Sequence, residues 1–422
     1  MASLHRTVTR RAVLAAGALM ALSAGLGGCG GSSAAPQQGD PSDGSSPNIS
    51  PDIAEVTDGP VQPGPSSTPT RPEQTLAAMT LEQKVAQLFC VTPEQLTGAS
   101  VATVSGPMTA DALARIPVGG LVYFSHNIVG DRQLRDMLAG ADRLSRASGA
   151  GVGAFLSVDE EGGPLVARVA NSGLFDVPTF PNMSEIGATG DASRAAEVGS
   201  TIGGYLAGIG FNLDFAPDAD VLTNPDNPVI GPRSFGSDPQ LVAQMVAAQV
   251  EAMLAVGVAP CVKHFPGHGD TMGDSHTGAV YTERSRDEIE ACEFEPYRAA
   301  IEAGVPMVMV GHIETPNFAA DGLPASLSPI MMGDVLRGEL GFDGIIISDS
   351  FSMGAITQRF TPDEAAVQFF AAGGDMLLMP ADLTLAYNGA LEAIGGGVLT
   401  EARIDESVMR ILNVKDDLGL LP

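Results

Sequence analysis

Reactive side chains gather in a few short stretches of this chain. Lys263-His264-Phe265-Pro266-Gly267-His268-Gly269-Asp270 runs through Thr271, Met272 and Gly273 to Asp274-Ser275-His276, so three of the six histidines fall within thirteen residues. Asp159-Glu160-Glu161-Gly162-Gly163 sets acids beside glycines, which let main chain approach a ligand closely. Asp349 stands between Ser348 and Ser350, and Arg233 lies in a Pro- and Gly-containing loop where a guanidinium could hold ligand oxygens. Two chemistries use such a set. Metal-assisted hydrolysis would take His and Asp as ligands, but no HExxH or comparable pair is present and Lys263 would repel a cation, so no metal is expected. Glycoside cleavage needs one carboxylate to attack the anomeric carbon and a second group to protonate the leaving oxygen. Asp349 and the Asp274/His276 pair suit those two roles. Taken singly, each position has a plainer explanation, since acids at strand ends cap helices and buried histidines often only hydrogen-bond.

These residues need elements to position them. Eight apolar runs can be counted: Leu88 to Val91, Leu121 to Phe124, Ala154 to Val158, Leu213 to Pro217, Val258 to Val262, Met307 to Val310, Ile345 to Ser348 and Met376 to Met379. Most are apolar on both faces, as doubly buried parallel strands must be. Between or after them lie helix candidates at Asp131 to Arg146, Asp191 to Leu206, Pro239 to Val256, Arg286 to Ala303 and Leu383 to Ile394. The alternation predicts an α/β fold, a single (β/α)8 TIM-like barrel over 73–422. Thr80-Leu81-Glu82-Gln83 has capping-box spacing and marks a helix start near the beginning of that domain. In such a barrel the site forms at the C-terminal ends of the strands, and Asp159, Lys263, His264 and Asp349 all follow apolar runs.

Lys263 to His276, K-H-F-P-G-H-G-D-T-M-G-D-S-H, resembles the signature of the β-N-acetylglucosaminidase branch of glycoside hydrolase family 3. The likeness extends to Met79-Thr80-Leu81-Glu82 with Gln87-Leu88-Phe89, to Asp159 through Gly163, and to Pro324 through Met353. The resemblance implies that Asp349 is the nucleophile of a retaining, exo-acting enzyme that removes terminal β-linked N-acetylglucosamine. It implies a histidine acid/base, His276, partnered by Asp274 on a loop flanked by glycines, in place of the usual second carboxylate. It also implies that Asp159, Arg233, Lys263 and His264 bind the hydroxyls of the non-reducing sugar. His268 and Asp270 are expected to brace the loop, and Asn212, Asp214 and Asp220 are candidates for a supporting layer. His312 and His126 follow strands and pose a choice between the site and the core. Two departures from the commonest pattern stand out: Glu160 where many members have Gln, and Ser350 after the nucleophile where many have a second acid. Members of the branch commonly act on peptidoglycan fragments. A phosphorylase, a β-glucosidase and a non-catalytic glycan-binding lipoprotein are the alternatives.

The chain begins with a segment of different character. Residues 1–28 hold no acid, carry Arg6, Arg10 and Arg11, and run apolar from Ala12 to Leu26, the layout of an export signal too short to span a bilayer. Leu26-Gly27-Gly28-Cys29 resembles a lipobox, in which Cys29 is acylated and becomes the mature N-terminus. Thr9-Arg10-Arg11 also resembles a twin-arginine signal, so the export route stays open. Residues 29–72 read as an acylated cysteine followed by a disordered tether of Gly, Ser, Pro, Asp and Gln. The expected product is a monomer anchored to the outer face of the cytoplasmic membrane as a lipoprotein. The formal charge of −28 becomes more negative when the three signal arginines leave, which makes nucleic acid a poor partner. Cys90, Cys261 and Cys292 lack disulfide-framework or zinc-site spacing. Carbohydrate is the expected ligand, without any cofactor.

Overall fold

The computed structural model describes residues 68–422. The expected export signal (1–28), Cys29 and the tether as far as residue 67 lie outside the described residues.

Helix Arg71–Ala78 opens the described part, two residues ahead of the boundary expected at 73. Thr70 and Glu73 form a capping box that satisfies its free N–H groups, and Arg71 reaches Asp416 of the last helix, Glu401–Asp417, at 3.0 Å. The capping box expected at Thr80 is present too. Thr80 Oγ1 accepts the Gln83 N–H at 3.3 Å, and Gln83 Oε1 accepts the Thr80 N–H at 3.1 Å.

All eight apolar runs are strands. They are β1 (Phe89–Val91), β2 (Gly120–Tyr123), β3 (Phe155–Val158), β4 (Leu213–Asp214), β5 (Ala259–Phe265), β6 (Met307–Val310), β7 (Ile345–Ser348) and β8 (Leu377–Leu378). Each pairs in parallel with its sequence neighbour from β1 to β7, and β1 pairs with β8. The seam between β7 and β8 closes through a bridge from Ile347 to Met376, with the Ser348 N–H donating to the Met376 carbonyl at 3.0 Å. The chain therefore forms the expected (β/α)8 barrel. The strand side chains are buried almost without exception, which is why they read as continuous apolar runs.

Helices Asp131–Arg146, Ala192–Ile209, Pro239–Ala255 and Leu383–Gly395 follow the sequence reading closely. One expectation is corrected. The stretch Arg286 to Ala303 is two helices, Arg286–Ala291 and Phe294–Glu302, separated by Cys292 at φ −124° and ψ −72°. The break accompanies an inward turn of Glu293, whose carboxylate accepts from Arg284 Nη1 at 2.6 Å and packs beneath Gly267.

Two buried polar groups tie the C-terminal helix to the barrel. Asp375, just before β8, accepts the Ile346 N–H of β7 at 2.9 Å and the Ser407 hydroxyl at 2.7 Å, and Arg337, Arg403 and Arg410 surround it. Lys415, fully buried, donates to Gln87 Oε1 at 2.7 Å and lies 5.0 Å from the Phe155 ring.

Candidate active site

β3 ends at Val158, and the chain turns through Asp159 into a short hairpin, Glu160–Gly162 paired antiparallel with Val166–Ala167. Extended backbone alternates its side chains, so Asp159 and Glu161 share one face while Glu160 takes the other. Glu160 points inward. Its carboxylate accepts the Val169 and Ala170 N–H groups at 2.7 and 2.8 Å and the Tyr205 hydroxyl at 2.6 Å, so it braces the hairpin. The departure noted at this position concerns support and not the cavity.

Asp159 and Glu161 face Lys263 at the end of β5, whose Nζ lies 2.8 Å from Asp159 and 2.7 Å from Glu161. Glu161 also takes Arg233 bidentately, Nε at 2.8 Å and Nη2 at 2.7 Å. Burial works against ionisation of Glu161, but the two cations outweigh it and hold the carboxyl well below the usual range. Asp159 and Glu161 push Lys263 upward, and Glu161 and Asp218 push Arg233 upward, each against its own burial, so Glu161, Lys263 and Arg233 stay charged.

Behind this layer, Asp220 Oδ2 meets His264 Nδ1 at 2.7 Å and Asp220 Oδ1 accepts the His268 N–H at 2.6 Å. Buried as it is, Asp220 is drawn down to about 2 by His264. With Nδ1 facing Asp220, the other ring nitrogen of His264 is left for the cavity that the ring lines. Asp218 Oδ1 accepts the Asp220 N–H, while Oδ2 is 3.5 Å from Arg233. Burial and the neighbouring Asp220 charge raise the Asp218 carboxyl well above its ordinary value. Asp218, Asp220 and His264 bring metal-type donor atoms together, but Asp220 and His264 are already engaged with each other and Arg233 occupies the approach to Asp218.

Asp349 follows β7. Its amide donates to the Val310 carbonyl at 2.9 Å, which fixes the backbone, and its Oδ1 accepts the Ser350 N–H at 2.6 Å. The contact uses the main chain of Ser350, so the residue type there does not decide it. Burial would raise the Asp349 carboxyl, but His312, His264, the Ser350 amide and Lys263 together lower it, leaving a carboxylate at neutral pH. His312 is a satisfied core residue, with Nδ1 2.7 Å from Ser326 Oγ and Nε2 2.9 Å from the Ser350 carbonyl. Burial lowers its pKa. It supports the Asp349 turn from behind.

The long loop after β5 carries the dyad. His276 Nδ1 is 2.7 Å from Asp274 Oδ1, and the same oxygen accepts the His276 N–H at 2.9 Å. Desolvation would raise the Asp274 carboxyl, but the amide and imidazole of His276 together outweigh it and lower its pKa. Both side chains are exposed, at 66% and 41%. The base of the loop is fixed. His268 Nδ1 meets Thr271 Oγ1 at 2.7 Å and Asp270 accepts the Thr223 and Thr282 hydroxyls, the bracing roles expected of both. Gly269 passes so close to Val221 that a Cβ would come within 1.9 Å of its carbonyl oxygen.

Asp159, Glu161, Arg168, Arg233, Lys263, His264, His268, His276 and Asp349 line one cavity of about 320 Å³. Its apolar wall includes Val122, Phe215, Met309 and Leu378. Every expected contact residue is there except Asp274, which stands directly behind His276. Three groups were missed by the sequence reading: Glu161, Arg168 and Asp218. Glu161 could have been found from the alternation around Asp159, whereas Arg168 reaches the site only because the hairpin folds back.

Two expectations are corrected, those for Asn212 and His126, while Asp214 takes the supporting place expected of it. Asn212 sits at the opposite end of the barrel, where its amide clamps the Leu156 N–H at 2.8 Å and the Ala154 carbonyl at 3.3 Å. His126 is half exposed beside Glu94 and does not line the cavity. Asp214 supports the hairpin through the Glu160 N–H at 2.9 Å, and burial raises its carboxyl well above the ordinary value.

Comparison with known proteins bears on this geometry. The glycosyl hydrolase family 3 N-terminal domain matches residues 80–414. Beta-hexosaminidase A of Pseudoalteromonas piscicida is 34% identical over 75% of this chain and 56% of its own length. Beta-hexosaminidase LpqI of Mycobacterium tuberculosis is 34% identical over 72% of this chain and 78% of its own length. A solved family 3 β-N-acetylglucosaminidase from Paenibacillus superposes with a TM-score of 0.76 at 36% identity, covering 81% of this chain and 63% of that one. The chain thus spans less than two thirds of the length of some of these relatives.

Proposed function

Given that this chain belongs to glycosyl hydrolase family 3, with the family's N-terminal domain matched over residues 80–414, we propose that it is a retaining, exo-acting β-N-acetylglucosaminidase. The observation that carries the reading is the shared cavity: the Asp349 carboxylate and the His276 imidazole, backed by Asp274, face a rim of fixed charges.

In this reading Asp159, Arg233, Lys263 and His264 hold the hydroxyls of the terminal sugar, and the pairing of Lys263 with Asp159, Arg233 with Glu161 and His264 with Asp220 fixes these side chains so that the ring is oriented for attack. Asp349 attacks the anomeric carbon and forms a covalent glycosyl-enzyme. His276 gives the proton on its outer nitrogen to the departing oxygen while Asp274 steadies the ring through Nδ1. Water then enters, His276 takes its proton, and the anomeric configuration is retained. A cavity of this size, closed beneath by β-strand side chains, suits one terminal sugar and so exo-action.

Peptidoglycan fragments are the proposed natural substrate, with N-acetylglucosamine released from its β-1,4 link to muramic acid derivatives. Anchoring through acylated Cys29, as a monomer on the outer face of the cytoplasmic membrane, would place the enzyme where wall turnover occurs. Two curated relatives named beta-hexosaminidase support the sugar assignment.

The test is hydrolysis of 4-nitrophenyl β-N-acetylglucosaminide beside the β-glucoside, with and without inorganic phosphate, on wild type and on His276→Ala. Preference for the glucoside would overturn the substrate, and sugar 1-phosphate as the main product would overturn hydrolysis. Binding without turnover would leave only a glycan-binding lipoprotein. Metabolic labelling with a fatty acid should mark wild type and not Cys29→Ala.

A further inference from the structure

Resting on the proposed glycosidase reading, we infer that Gln358 is a positioning residue that latches the His276 loop onto the turn carrying Asp349. Three successive carbonyls of that loop are taken by one short segment after β7. The Ala355 N–H donates to the Ser275 carbonyl at 3.2 Å, the Gly354 N–H to the His276 carbonyl at 3.1 Å, and Gln358 Nε2 to the Thr277 carbonyl at 2.9 Å.

The segment begins five residues after Asp349. Met353, which lines the cavity, lies between them. The nucleophile and the acid/base thus come from different strands but meet through a single turn. Their separation is set there and not through the long loop's own stem. Gly354 is needed for the approach: a Cβ on it would fall 2.9 Å from the His276 carbonyl oxygen and 3.0 Å from Gln358 Nε2.

Of the three donors only Gln358 uses a side chain, so it alone can be changed without touching the backbone. Its exposure on the surface makes substitution tolerable to the fold. The dyad side chains are themselves exposed, and among the described residues their level of the loop is otherwise tied to its base by only the weak 3.4 Å contact of Ser275 Oγ with His268 Nε2. Loss of the Gln358 contact leaves the two backbone hydrogen bonds, and the loop populates states in which His276 no longer faces the cavity. Protonation of the leaving group suffers, while attack by Asp349 does not.

The experiment compares Gln358→Ala, Gln358→Glu and Gln358→Lys on aryl β-N-acetylglucosaminides. With a phenyl leaving group, which needs a proton, kcat/KM should fall about tenfold in Gln358→Ala. With a 2,4-dinitrophenyl group, which leaves unaided, it should stay within about twofold of wild type. Gln358→Glu, which cannot donate, should match the alanine variant. Gln358→Lys should recover part of the loss. In a His276→Ala background the Gln358→Ala change should add nothing, because the two act through one imidazole. Equal losses on both substrates, or an additive loss with His276→Ala, would overturn the inference. A separate measurement distinguishes it from the activity assignment: hydrogen exchange at the Gly354 and Ala355 amides should quicken in Gln358→Ala, whatever sugar the wild type cleaves. Unchanged exchange there would remove the latch even if the glycosidase reading stands.

Discussion

Glu161 grips Arg233 through two parallel hydrogen bonds, at 2.8 and 2.7 Å, and at the same time holds Lys263 at 2.7 Å. One buried carboxylate thereby fixes two cations that would otherwise repel each other across the cavity.

Glu161→Ala should therefore damage both stability and binding. Removing one member of a buried ion pair strands the others, which costs about 3 kcal/mol. A urea midpoint lowered accordingly, together with a KM raised at least as much as kcat falls, is the expected pattern. An unchanged midpoint would mean that water replaces the carboxylate without loss.

Arg168 lines the cavity, and its Nε has no hydrogen-bond partner among the described residues. Arg168→Ala should raise KM by about tenfold to a hundredfold, the worth of one hydrogen bond to a charged group, with little effect on thermal stability. Steady-state kinetics beside a melting curve checks this, and an unaltered KM would take Arg168 out of the binding set.

Among the described residues, the Asp349 carboxylate accepts only from the Ser350 amide. Asp349→Asn keeps the shape and should still bind N-acetylglucosamine with little loss, measured by calorimetry, while turnover of every aryl substrate disappears. Residual turnover well above background would move the nucleophile elsewhere.

Lys415 gives a pH-dependent term to stability. Burial, only partly offset by the neighbouring Cys90, lowers its folded pKa to about 7, whereas an unfolded lysine titrates near roughly 10.4. Between those values the unfolded chain binds one more proton, so stability rises with pH across that window. Below it both states hold the proton and the full penalty remains, on the order of 5 kcal/mol as an upper bound. Lys415→Met should flatten the rise between about pH 7 and 10 relative to wild type and gain most below it. Parallel urea curves for the two proteins at pH 6 and 9 decide the matter; identical pH slopes would exclude the effect.

Much of the barrel was legible because doubly buried strands leave continuous apolar runs, as Ile345, Ile346 and Ile347 do, all with no exposed surface. The fourth run was less so, since β4 keeps only Leu213 and Asp214 in register before the chain bends through Pro217 toward Asp218 and Asp220. Long amphipathic helices were equally plain. The break at Cys292 was not, because it depends on Glu293 meeting Arg284, a tertiary contact that leaves no local mark. In the site, residues following strands came out readily. Asn212 misled because it precedes its strand, which places it at the other mouth of the barrel. Arg168 stayed hidden because a folded-back hairpin, and not its spacing from Asp159, delivers it.

The seam at Asp375 reaches further than its position suggests. That carboxylate fastens the Ile346 amide, three residues from Asp349, to side chains on the final helix, Arg403, Ser407 and Arg410. A chain trimmed ahead of Glu401 would leave Asp375 with the Ile346 amide and Arg337 and strip the cover from β7. The C-terminal helix is thus part of the hoop that keeps the barrel shut, and damage there would register as a loss of foldedness before any change in chemistry.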